Sequence, residues 1–78
     1  MSKADTAIKQ VFGSIGITDM DSLVDWLETL KPQYNVVKST ICIHDAISLI
    51  DALLDKGISS WYDKCRGWYG TLTIIPPG

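Results

Sequence analysis

Ser59-Ser60-Trp61-Tyr62-Asp63-Lys64-Cys65-Arg66-Gly67-Trp68-Tyr69-Gly70-Thr71-Leu72-Thr73-Ile74-Ile75 decides the fold, because its first half accepts two readings. As a helix capped by Ser59 or Ser60, it gathers Trp61, Tyr62, Cys65, Trp68 and Tyr69 on an arc of about 120°. As a hairpin, it makes Asp63-Lys64-Cys65-Arg66-Gly67 the loop. Its second half alternates as a strand does, with Trp68, Gly70, Leu72 and Ile74 on one face and Tyr69, Thr71, Thr73 and Ile75 on the other. The expectation is a short helix over about 60–66 followed by a strand over about 69–75, ended by Pro76 and Pro77. A strand needs a partner, and Tyr34–Lys38 is the obvious one, giving a two-stranded ribbon.

Upstream the spacing is helical. Ser2-Lys3-Ala4-Asp5 has the form of an N-terminal cap. Behind it Ala4, Ala7, Ile8, Val11, Phe12 and Ile15 cover an arc of about 140°, and Gly13 and Gly16 predict a stop near Ser14. Thr18-Asp19-Met20-Asp21 repeats the cap. Met20, Leu23, Val24, Leu27 and Leu30 follow as an apolar stripe that Pro32 ends near Leu30. A third helix starts near residue 41 and places Cys42, Ile43, Ala46, Ile47, Leu49, Ile50, Leu53 and Leu54 on an arc of about 160°, with Gly57 as its stop. The fold class expected is therefore α+β, predominantly α: three to four short helices with a minor two-stranded ribbon, or alternatively an all-α bundle. At 78 residues this is one domain spanning 1–78.

Composition narrows the function. With 46% hydrophobic residues the chain has enough apolar surface to fold. Seven basic and nine acidic residues give a net charge of −2, too little positive charge to grip a nucleic-acid backbone, so no nucleic acid is expected as partner. The N-terminal residues have no export pattern and no apolar run approaches about 20 residues, so the expectation is a cytoplasmic chain without a membrane partner. Cys42 and Cys65 are expected as reduced thiols.

Reactive constellations are sparse. Cys42 with His44 could form a thiolate–imidazolium nucleophile, but on a helix the two point about 200° apart. A metal site from Cys42, His44 and Cys65 lacks the close ligand pairs of structural zinc sites, so neither metal nor other cofactor is expected. Asp19, Asp21, Asp25, Glu28, Asp51 and Asp55 fall on predicted solvent faces, and Gly13-Ser14-Ile15-Gly16 lacks the length and lysine of a phosphate loop. Asp21-Ser22-Leu23 resembles the D-S-L of acyl and peptidyl carrier proteins, whose serine bears phosphopantetheine at the start of the second helix. The resemblance covers three residues, and the long loop that those proteins place upstream is missing here.

Trp61, Tyr62, Lys64, Arg66, Trp68 and Tyr69 stand out, since tryptophan, tyrosine and arginine dominate binding hot spots. These six are the expected partner-binding residues, although a small domain also needs aromatic rings in its core. The reading is a non-catalytic interaction module, an adaptor or inhibitor of a larger protein, of the size common among phage and mobile-element accessory proteins. The alternative is a small carrier or enzyme centred on Ser22 or on Cys42 and His44. Self-association through the aromatic cluster is the further possibility that the residues leave open.

Overall fold

A computed structural model describes residues 3–30 and 36–76. In chain order the elements are α1 (Lys3–Phe12), a 3-10 turn (Gly13–Ile15), α2 (Met20–Glu28), β1 (Val37–Cys42), α3 (Ile43–Asp55), β2 (Ser59–Arg66) and β3 (Tyr69–Ile75). The strands form one antiparallel sheet in the order β1-β3-β2. β1 and β2 run parallel to each other, joined by α3, and β3 is inserted between them. The cap at Ser2, the stop at Pro32 and the strand residues Tyr34 and Asn35 lie outside the described residues.

The two-stranded ribbon is corrected to a three-stranded sheet, and the helix expected over 60–66 is a strand. Residues 59–66 pair along the whole second edge of β3, from Ser59 opposite Ile75 to Arg66 opposite Tyr69. Two local features set this up. At the end of α3, Gly57 (φ 75°) lets its own amide donate to the Leu54 carbonyl and the Ile58 amide donate to that of Leu53. This double return is the Schellman motif, sealed by contact between Ile58 and Leu53, both buried, and it aims the chain straight into β2. Gly16 ends the first helical segment in the same way, with Ile17 returning to Phe12. At the other end of β2 the turn is Gly67-Trp68, with φ 60° at Gly67, as a two-residue hairpin loop that opens on glycine requires. Of the loop Asp63–Gly67 in the alternative hairpin reading, only Gly67 lies in the turn; Asp63–Arg66 are strand, with Cys65 forming a bulge between Lys64 and Arg66.

One face of the sheet packs on the helices. Leu72 and Ile74 of β3 and Ile41 of β1 meet Ala46, Leu49 and Leu53 of α3, Ala7, Ile8 and Phe12 of α1, and Leu23 and Leu27 of α2. Each leucine so buried contributes about 1.5–3 kcal/mol relative to exposure. Gly70 lies on the central strand at the hairpin end of this inner face, and the Tyr62 ring lies across it, its hydroxyl donating to the Ile41 carbonyl at 3.5 Å. Helix starts are tied both locally and across the fold. The Asp19 carboxylate accepts from the Ser22 amide at 2.8 Å, and Asp5 of α1 accepts from the Met20 amide at 3.2 Å. The first amide of α3, that of Ile43, donates to the Trp68 carbonyl at the hairpin tip (2.7 Å).

A Cβ on Gly70 would collide with the Asp63 carbonyl and, at 2.6 Å, with the Tyr62 ring. Gly70→Ala is therefore expected to cost about 1–3 kcal/mol, the usual range for overpacking, read from the urea midpoint. Ser22, through its amide and hydroxyl, holds the Asp19 carboxyl below its ordinary value of 3.8. A depressed carboxyl stabilises the folded chain above that value and loses the contribution as pH falls through the folded one. Asp19→Ala should accordingly melt at lower temperature than wild type at neutral pH, and the gap should close as pH drops below about 4.

Candidate interaction face

The second face of the sheet has no helix on it among the described residues. Pairing register assigns its side chains in rows across the three strands: Lys38, Thr73 and Trp61; then Thr40, Thr71 and Asp63; then Cys42, Tyr69 and Arg66. Strand alternation sends these rows opposite to Leu72 and Ile74, away from the core. Thr73 is buried at the middle of the face, only 2% exposed, flanked by Lys38 and Trp61. Trp61 and Tyr69 stand exposed around that floor, at 47% and 58%.

Hydrogen bonding orders this surface. The Trp61 indole N–H donates to the Asp63 carboxylate two residues along the same strand, at 3.2 Å. Asp63 is the single carboxylate of the three strands, and the ring beside it fixes its orientation while leaving its charge. Lys38 and Arg66 hold no ion pair among the described residues. The bulge turns Cys65 outward, its sulfur 3.9 Å from the Thr71 hydroxyl. Both cysteines are free thiols, Cys65 exposed and Cys42 half-buried.

The six aromatic and basic residues do not form one patch. Trp61, Arg66 and Tyr69 converge on the open face. Tyr62 and Lys64 share the helix-facing side by register, and Tyr62 packs against the core, where burial first, and then Cys42 and Cys65, push its phenol above the ordinary 10.0. Trp68 sits in the turn, 66% exposed, its ring stacked on His44 with centroids 5.6 Å apart. Helical periodicity merged three groups that an alternating strand and a turn separate. Lys38, Thr40, Thr71 and Thr73 belong to the face too, and the signal for the first two was the alternation of Val37-Lys38-Ser39-Thr40-Ile41-Cys42.

The reactive candidates are scattered. Cys42 ends β1 while His44 opens α3, where Trp68 occupies the imidazole face. Ser22 lies half-buried in the first turn of α2, bound to Asp19. Among the described residues no three His, Cys, Asp or Glu side chains gather as a metal site, and no helix is long and apolar enough to cross a membrane. Trp26 packs against Phe12 at 5.9 Å on the core margin. No protein-family model, curated protein or solved structure matches the chain.

Proposed function

We propose that this chain is a non-catalytic interaction module, an adaptor or inhibitor that docks the open face of its sheet on a larger protein in the cytosol. The observation that carries this reading is the placement of Trp61, Tyr69 and Arg66 on one sheet face with no helix over it among the described residues. An antiparallel sheet commonly leaves one face to water, and that face is then ordinarily polar along every strand. Here two large aromatic rings interrupt it beside a guanidinium, which is hot-spot chemistry: rigid apolar area with a forked donor at its rim. The small hydroxyls of exposed Thr40 and half-buried Thr71 supply a floor that side chains of a partner can approach closely. An exposed free thiol at Cys65 fits a reducing compartment.

The test uses the whole chain as bait in extract from its native source, with Arg66→Ala and Tyr69→Ala beside wild type. Both side chains are exposed, so both variants should melt within a few degrees of wild type. Capture of the partner should fall about tenfold or more in each, the loss usual for truncated hot-spot residues. Undiminished capture by both folded variants contradicts the proposal.

A further inference from the structure

Resting on that docking reading, we infer that the occupant of the open sheet face is an acidic amphipathic helix presented by the partner. The first ground is charge. The net −2 of the chain conceals a separation between its two layers. The described helices with their cap residues Asp19 and Lys56 carry three lysines, the other two being Lys3 and Lys9, against eight carboxylates, whereas the strands carry Lys38, Lys64 and Arg66 against Asp63 alone. On the open face itself Lys38 and Arg66 stand at diagonally opposite ends of the rows. The one carboxylate between them accepts the Trp61 indole N–H. A negatively charged ligand meets two cations at opposite corners against one carboxylate, a net positive face.

Size is the second ground. Three strands about 4.8 Å apart and about seven residues long make a face of roughly 300–400 Å², well under the ~800 Å² per partner of a standard protein interface. A rigid globular surface or a second copy would gain little there, and pairing two such faces would also set Lys38 and Arg66 against their own kind. A single helix, about 10 Å across, covers this width.

The opposite face of the same sheet supplies the third. What it accepts is α3, a 13-residue amphipathic helix that carries Asp45, Asp51 and Asp55 and no lysine or arginine. Its Ala46, Leu49 and Leu53 meet the inner side chains of the sheet. An occupant of like chemistry on the outer face would complete a helix–sheet–helix sandwich, its apolar stripe over Thr71 between Trp61 and Tyr69 and its carboxylates toward Lys38 and Arg66.

Two synthetic peptides test this, each about four helical turns long with leucine at i, i+3, i+4 and i+7. One carries glutamate at the remaining positions and the other lysine. Each is titrated into the full chain labelled with nitrogen-15, alongside oligo(dT) and vesicles containing phosphatidylglycerol. The acidic peptide should shift the Trp61 indole N–H and the amides of Lys38, Thr71 and Thr73. Its affinity should drop at least tenfold in the double variant Lys38→Glu, Arg66→Glu, and should fall as salt is raised. Equal or tighter binding of the lysine peptide, of oligo(dT) or of the vesicles at those resonances overturns the inference, as does silence of the acidic peptide at millimolar concentration. Shifts of the same resonances with protein concentration alone would name a second copy as occupant and overturn it too. If the acidic peptide fails while partner capture still depends on Tyr69 and Arg66, the docking function survives without this assignment.

Discussion

Tyr62 laid across Gly70 toward the Ile41 carbonyl is a contact that spans all three strands and ties them to one register. Backbone pairing alone would join β1 to β3 and β2 to β3 independently. The tyrosine starts on β2, crosses the central strand where it has no side chain, and ends on β1, so a shift of any strand breaks it. A slip of one residue would also turn Leu72 and Ile74 outward and Thr73 inward, so the core enforces the same register. The hairpin tip adds a second lock, since the Trp68 carbonyl receives the first amide of α3.

That register is what makes the outer face. Because inner positions are filled by Ile41, Gly70, Leu72 and Ile74, alternation obliges Lys38, Trp61, Tyr69 and Thr71 to point the other way. The aromatic rings there are consequences of strand phase and contribute little to the core that α1, α2 and α3 complete from the far side. Charge follows the same division. Acids that cap α2, line α2 and stud α3 accumulate on the helical layer, favoured at helix starts by the dipole and elsewhere by solvent exposure. The strands keep their cations. A chain that looks electrically mixed in its linear order is two-sided once folded.

The helices were legible from the residues, and the sheet was legible in part. Apolar spacing at Ala7, Ile8 and Phe12, at Leu23 and Leu27, and at Ala46, Leu49 and Leu53 names residues found buried, and Gly57 stops α3 where its position suggested, but Ile15, Ile47 and Leu54 on the same arcs are exposed and Cys42 belongs to β1. Within β3 the division of Gly70, Leu72 and Ile74 from Tyr69, Thr71 and Thr73 was visible as well. Residues 59–66 were not, because Trp61, Tyr62 and Cys65 satisfy a helical arc as well as they satisfy alternation, and apart from the flanking Gly57 and Gly67 nothing local decides between them. The decision is non-local: β3 has two edges, and Val37–Cys42 fills only one. For the same reason the aromatic cluster was read as a unit, although Tyr62 belongs to the interior and Trp68 to a turn.

The direct measurement is side-chain solvent access in the intact chain, read as line broadening by a soluble paramagnetic agent. The account requires strong broadening at Trp61 and Tyr69 and weak broadening at Tyr62. It also requires cross-strand contacts from Thr73 to both Lys38 and Trp61. Protection of Trp61 and Tyr69 equal to that of Tyr62 would mean the outer face is covered, and the reading of this sheet as a docking surface would fall.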